Sequence, residues 1–396
     1  MYLLSTDQYV TVQPLFEELM YDLRLVSLLQ HTIPGEIYVD CTEQPSAAMV
    51  WDRGRALYVT GCNVEFFKQV NIHLRTKVFP GMVESNSDML DYYIRYPHSL
   101  VCMDLLEKNL INGLHSSFNK RRYYLFDLSV DVKPTELPEG YHLQEVNLEL
   151  LQRTDITNPD FILDEIHSNH MTAENFNDRG FGYCILTNDN EIVSWCLTDY
   201  VIGNRCEIGI ETDEDHRQKG LATAVASACV QLARSKGIER IGWDCFDTNI
   251  GSWKTAEKVG FKLFKTYDPW FGWFNRFDNY LVQAYECYQN KDFSGAVYFY
   301  ELVFDRLTRE EDLEISRSRI LNPDNQYWFY YNAARCYAQL DQEREVSDKL
   351  MKSVSLGLDD PSMITNEPVF DKYGSMEWFG LLLQNSGDAT EISGAG

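Results

Sequence analysis

Between Tyr183 and Tyr267 this 396-residue chain alternates two hydrophobic periods, and that alternation constrains its fold more than any other feature. Apolar runs of strand length occupy Tyr183–Thr187, Glu191–Asp199 and Arg205–Thr212. A helical stretch follows, with Leu221, Val225, Ala228, Cys229 and Leu232 on one face and Gly237 just past its end. Strand Arg240–Cys245, helix Ile250–Val259 and strand Phe261–Tyr267 complete the series. Asn188-Asp-Asn190 supplies a tight turn between the first two strands. Hairpin-linked strands pair antiparallel, whereas a strand–helix–strand crossover returns a parallel neighbour. The expected fold class is therefore α/β, a mixed sheet with helices packed on its faces.

A strand at Tyr141–Val146 and a helical region with Phe161, Ile162 and Ile166 lead into this core. Ahead of them, Asp131–Gly140 (DVKPTELPEG) reads as a linker, rich in proline and charge. Residues 1–130 form an α/β lobe with no nameable catalytic constellation. Its helical period runs from Pro14 to Leu29 through Leu15, Leu19, Leu23 and Val26. Its strands fall at Glu36–Val39, Ala47–Trp51, Ala56–Thr60 and Tyr123–Leu128, with a hairpin turn over Trp51–Arg55. Past Asp278 the pattern is helical almost to the end, where small polar residues suggest a frayed tail. The expected division is 1–130, linker 131–140, core domain 141–277, helical domain 278–385 and disordered tail 386–396.

The formal net charge of −25 repels phosphate backbones and anionic bilayers, so nucleic-acid and membrane-surface partners are excluded. No apolar run reaches the length of a membrane span, and the opening residues lack a secretory signal pattern. The ten cysteines show no C-x-x-C spacing, and His167 with His170 is the only close histidine pair. Neither a structural zinc site nor a disulfide framework is expected, and no metal. Cys184, Cys196 and Cys206 sit in apolar runs as small hydrophobes, which points to a reducing cytoplasm.

The chemistry gathers at Arg217-Gln-Lys-Gly-Leu-Ala222, between a strand and the start of the long helix. A pyrophosphate placed there meets unpaired N–H groups and the positive end of the helix dipole. Gly220 and Ala222 leave room for phosphate to approach the backbone, while Arg217 and Lys219 add positive charge.

This turn resembles the acetyl-CoA motif Q/R-x-x-G-x-G/A of the GNAT N-acetyltransferases. Asn249-Ile-Gly-Ser252 followed by Gly260-Phe261 matches that family's second helix-to-strand element, and the order of strands agrees. The resemblance implies a mixed sheet in which two parallel strands splay apart in a V. It places the pantetheine arm along the strand that contains Ile210 and ends at Thr212. The pyrophosphate falls on the amides of Gln218, Lys219, Gly220, Leu221 and Ala222, with Arg217 and Thr223 also binding the cosubstrate and Asn249 and Ser252 near the thioester. The implied reaction is direct transfer of acetyl from acetyl-CoA to a primary amine of a small or peptide-like substrate. That chemistry asks for a base toward the ammonium and often an acid toward sulfur.

Glu207 and Glu211 are candidates for the base, four apart and so on one face of a regular strand. Glu207 sits at about the depth of a catalytic glutamate in some members, but a bulge common there would reverse the parity. Asp244, at the end of the neighbouring strand, is the third candidate. The tyrosine acid of many members is replaced by Ala256. Within the family, Ala47-Ala-Met-Val-Trp51, Lys219–Thr223, Trp243-Asp-Cys245 and Ala256-Glu-Lys258 resemble a subgroup that includes the zwittermicin A resistance acetyltransferase. That likeness suggests a substrate with several amines. From Asp278 on, Tyr280, Ala284, Cys287, Asp292-Phe293, Ala296, Tyr300 and Val303 resemble a tetratricopeptide repeat. A second copy runs through Tyr331, Ala334, Tyr337, Val346 and Leu350. Such repeats imply a protein partner or self-association, and the alternative to an enzyme is a non-catalytic acyl-CoA-binding or protein-interaction module.

Overall fold

The computed structural model describes residues 1–85, 89–99, 101–127, 132, 135–307 and 313–392. They form two compact units. The first comprises residues 1–63, 93–102 and 118–270, the second residues 64–92, 103–117 and 271–396.

In the first unit, Asp22 ends a run of 3₁₀ turns and caps helix α1 (Leu23–Leu29), its carboxylate accepting from the amides of Arg24 and Leu25. The single helical period read from Pro14 to Leu29 is therefore broken, because the capping residue takes an extended conformation. Strands β1 (Glu36–Val39), β2 (Ala48–Trp51) and β3 (Ala56–Thr60) then pair antiparallel in sequence. Residues Tyr93–Arg95 of β4 (Asp91–Arg95) run parallel to β3. A disulfide joins Cys62, just past β3, to Cys102, beyond β4, whereas the spacing of the cysteines suggested none. Adjacency of the two strands, invisible in sequence, brings the sulfurs together.

Among the described residues a second sheet, built of longer strands, also has seven of them. These are β5 (Arg121–Phe126), β6 (Tyr141–Glu145), β7 (Gly182–Thr187), β8 (Ile192–Ile202), β9 (Arg205–Thr212), β10 (Arg240–Phe246) and β11 (Phe261–Tyr267). Their spatial order is β11-β5-β10-β9-β8-β7-β6. Every strand expected between Tyr141 and Tyr267 is present. The expected lobe boundary at 131–140 is corrected: β5 lies between β10 and β11, so strands on both sides of that segment belong to one sheet. Within the segment, Leu137 and Val132 pack against the sheet's core; Asp131, Lys133 and Pro134 lie outside the described residues.

The two faces of this sheet carry different helices. Helices α2 (Asp160–His170) and α3 (Ala173–Arg179) bury Ile162, Ile166 and Phe176 against Trp195 and Leu197. Helices α4 (Leu221–Ser235) and α5 (Ile250–Val259) bury Val225, Cys229, Val230 and Ala256 with Cys206, Ile208 and Cys196. Alternation along β9 thus sends Ile208 to the α4 side and Glu207 to the opposite face.

The second unit contains four helices in two hairpins, α6 (Arg276–Gln289) with α7 (Phe293–Leu307) and α8 (Gln326–Gln339) with α9 (Glu343–Ser355), and ends in α10 (Glu377–Ile392). Ala284, Ala296, Tyr300 and Val303 share one core, and Tyr331, Ala334, Val346 and Leu350 another. The tail expected to be disordered from 386 is helical as far as Ile392, and residues 393–396 lie outside the described residues. Among the described residues no helix is long and apolar enough to cross a membrane.

Candidate active site

The strand–turn–helix at Arg217–Ala222 has the geometry its composition suggested. Gln218 (φ 63°) and Gly220 (φ 83°) both take left-handed backbone, and α4 begins directly after. A Cβ on Gly220 would meet nothing within 4 Å, so it is the backbone angle that asks for glycine there. No side chain caps α4, which leaves the amides of its first turn to a ligand or water.

These amides border a cavity of about 850 Å³, closed by Ile210–Thr212 on one side and by residues between Thr248 and Lys258 on the other. Arg217, Lys254 and Lys258 line it against the single carboxylate of Glu211, a local reversal of the chain's acidity. Arg217 also folds the turn, donating from Nε to the Thr212 carbonyl (3.1 Å) and pairing with Glu214 (3.0 Å). Lys219 points elsewhere, toward the Tyr141 hydroxyl (3.0 Å) and the Asp215 carbonyl (3.1 Å).

Asn249 caps α5 by accepting from the Ser252 amide (3.1 Å), and the Ser252 hydroxyl accepts from the Trp243 indole (3.0 Å). Both line the cavity. Ala256 is fully buried in the sheet–helix core, where a tyrosine would need extensive repacking. A proton donor at that position is therefore precluded by packing.

The V expected of the parallel strands is visible in their register. β9 and β10 pair only from Arg205↔Arg240 to Glu207↔Gly242. Beyond that point β9 runs on to Thr212 and β10 to Phe246 without pairing to each other. The bulge lies not on β9 but on β8, where Asp199 is the extra residue, so Glu207, Gly209 and Glu211 keep one face.

Glu207 marks the crotch of this V and is buried, 9 % exposed. Its Oε1 accepts from the Leu23 amide (3.0 Å) at the start of α1 and lies 2.6 Å from the Tyr123 hydroxyl. Burial, with the charge of Asp22 adding to it, pushes the carboxyl up to about 8. Glu211 is exposed at the cavity rim, and partial desolvation with the charge of Glu165 raises it also. Asp199, in contact range of a Cβ on Gly209, and Glu165 on α2 extend this line of carboxylates. Asn169 donates to both, at 3.3 and 2.6 Å.

Asp244 has a different environment. It pairs with Arg95 (2.6 Å) and Arg121 (3.0 Å) and accepts from the Tyr267 hydroxyl. Burial alone would raise it, yet the two guanidiniums hold its carboxyl below the usual range. Of the three base candidates, then, Glu211 opens on the cavity, Glu207 sits behind it at the crotch, and Asp244 is committed to arginines. The sequence reading missed Asp22, Arg95, Arg121, Tyr123, Lys254 and Lys258. Arg95 inside the apolar run of β4 was the one local signal, since a strand arginine there must find a carboxylate.

Comparison with known proteins bears on this arrangement. A family model for GNAT acetyltransferases matches residues 13–270. The chain belongs to the GNAT acetyltransferase family. It is 24 % identical over 264 residues to an uncharacterized N-acetyltransferase of Bacillus subtilis, YdfB, covering 67 % of this chain and 95 % of that protein. It is 34 % identical over 111 residues to YjdG, an uncharacterized N-acetyltransferase of the same organism, covering 27 % of this chain and 66 % of the relative. A GCN5-related N-acetyltransferase-like structure from Streptococcus suis aligns with TM-score 0.49 and 21 % identity over 67 % of this chain and 98 % of the other. The chain is accordingly an N-acetyltransferase; most of the family match lies in its first unit, and the matched residues 64–92 and 103–117 belong to the second.

Proposed function

We propose that this GNAT acetyltransferase takes acetyl-CoA in the cavity beside α4 and transfers its acetyl group directly to a primary amine of a small or peptide-like acceptor. The observation that carries this is the cationic cavity itself, built on an uncapped helix start after two left-handed residues. Its residues fit a phosphate-bearing cosubstrate: the first-turn amides and Arg217 toward the pyrophosphate, Lys254 and Lys258 toward further phosphate charge. Bound there, acetyl-CoA supplies an acyl thioester whose carbonyl an amine can attack. The edge of β9 beyond Glu207, which no longer pairs with β10, suits the pantetheine amides, and Asn249 and Ser252 lie on the opposite wall.

Glu207 is the base in this reading, with Glu211 as the alternative. A carboxyl raised by burial is matched to the task of taking a proton from an ammonium. The line Glu207, Asp199, Glu165, Glu211 favours a cationic acceptor, in keeping with the likeness to a subgroup acting on a molecule with several amines. The helix pairs α6–α7 and α8–α9, with alanines at their contacts, fit a tetratricopeptide-type module for a protein partner or self-association.

Calorimetric titration with acetyl-CoA and thiol release with a panel of primary amines test the reading. Saturable binding and turnover with an amine are expected; absence of acetyl-CoA binding overturns it. Gly220→Ala should weaken acetyl-CoA binding several-fold and lower stability by about 1 kcal/mol, because alanine is strained at φ 83°. Unchanged binding in that variant would remove the turn from the cosubstrate site.

A further inference from the structure

Tyr123 lies on β5, two strands from Glu207, and should not reach it. It does so because Gly242, between them on β10, has no side chain. A Cβ on Gly242 would fall 2.2 Å from the Tyr123 hydroxyl and 2.9 Å from the Glu207 Cγ. We propose that Tyr123 is a positioning residue for Glu207: reaching over Gly242, its hydroxyl gives the carboxyl group a partner in both protonation states. The proposal rests on the reading of Glu207 as the base.

The hydroxyl has two acceptors in range, Glu207 Oε1 at 2.6 Å and the Tyr21 carbonyl at 3.0 Å. With Glu207 ionised, Tyr123 donates to the carboxylate. When the acceptor's ammonium gives its proton to Glu207, the new carboxyl O–H donates to the Tyr123 oxygen. The phenol proton then turns to the Tyr21 carbonyl, and no buried group is left unpaired. No covalent bond of tyrosine breaks, and the proton later leaves Glu207 for solvent. Burial and the charge of Glu207 keep the phenol itself protonated throughout.

The other groups facing Glu207 do not share this duty. Asp22, ahead of α1, and Asp244, on β10, act on it through charge alone. Asp199 on β8, Cys206 on β9 and Tyr21 sense it without an O–H or S–H shown bonded to it. The Leu23 amide donates to Oε1 in either state. Removing the hydroxyl takes a charge-assisted bond from the carboxylate and only a neutral one from the acid.

The test is a pH titration of ¹³C-labelled glutamate carboxyls by NMR in the full chain, with the Glu207 resonance assigned by its loss in Glu207→Gln. Tyr123→Phe keeps the ring and should raise the Glu207 midpoint by about one pH unit. Gly242→Ala, which crowds the hydroxyl, should move the midpoint in the same direction. Acetyl-CoA affinity should not change in Tyr123→Phe, while turnover with an amine from the panel falls about tenfold. A Glu207 midpoint unmoved by Tyr123→Phe overturns the proposal whatever the turnover. Turnover that persists in Glu207→Gln would instead remove the base assignment and leave the pairing standing.

Discussion

Arg95→Met is expected to cost about 3–5 kcal/mol of folding stability at neutral pH, the largest loss among the single changes considered. Arg95 is 6 % exposed and bridges two carboxylates, Asp22 through Nη1 and Asp244 through Nη2 (2.6 Å). Its guanidinium also lies over the rings of Tyr267 and Tyr93, 4.9 and 5.1 Å from their centroids. Methionine fills the volume and leaves two buried negative charges without their shared cation. Asp22 would retain the Tyr58 hydroxyl (2.8 Å) and its α1 amides, and Asp244 would retain Arg121. The exposed pair of Arg217 with Glu214 is the contrast, with about 0–1 kcal/mol at stake.

The pH dependence has a definite sign. The folded-state carboxyl of Asp244 is depressed, so its stabilisation is present above the ordinary carboxylate pKa and is lost as pH falls through the folded value. The deficit of Arg95→Met should therefore be greatest at neutral pH and shrink in acid. Urea unfolding of both proteins at pH 7 and at about pH 3, below the ordinary carboxylate value, measures it. A loss below about 1 kcal/mol at pH 7 would mean that Arg95 is a replaceable bystander.

What the sequence revealed, and what it hid, divides by range. The strands from Tyr183 to Tyr267 were legible because each is a continuous apolar run bounded by turn residues or a helical period. The Arg217–Ala222 turn was legible because a left-handed residue before an amphipathic helix leaves a local mark, Gly220. The place of β5 was not, since nothing near Tyr123 says that its partners are β10 and β11, more than 110 residues away. The break at Asp22 was available as a cap signal but lay inside an apolar period that continued on both sides. Asp244 looked like a free carboxylate for the same reason that Cys62 and Cys102 looked unpaired. Each finds its partner on or just beyond a strand whose neighbour only the tertiary fold defines.

That distinction bears on catalysis. The cavity proposed for the cosubstrate is assembled from two local motifs, so most of its residues could be named in advance, Lys254 and Lys258 excepted. The environment of Glu207, the proposed base, is assembled from four separate stretches, carrying Leu23, Tyr123, Glu207 and Gly242. The N-terminal residues 1–63 are therefore part of the unit that holds Glu207. Asp22 and Leu23 act on Glu207 directly, one by charge and one by an amide.

Glu207→Gln should abolish most turnover and, at pH 8, make the protein more stable than wild type. The second effect follows from linkage. A carboxyl raised to about 8 in the folded state and ionising near 4.3 when unfolded binds more protons folded than unfolded across that interval. Its contribution is fully present below pH 4 and is lost as pH rises through 8, on the order of 5 kcal/mol in total. Glutamine stays neutral and still offers an oxygen to the Leu23 amide and the Tyr123 hydroxyl, so its stability should not decline over this range. The two urea-unfolding curves should coincide near pH 4 and diverge upward, with the variant ahead at pH 8. Loss of a general base should lower thiol release about 10²- to 10⁴-fold with the best amine of the panel. Parallel pH–stability curves would show that Glu207 is ionised at neutral pH in the folded state. Undiminished turnover would move the base to Glu211, whose rim position then becomes the site of proton transfer.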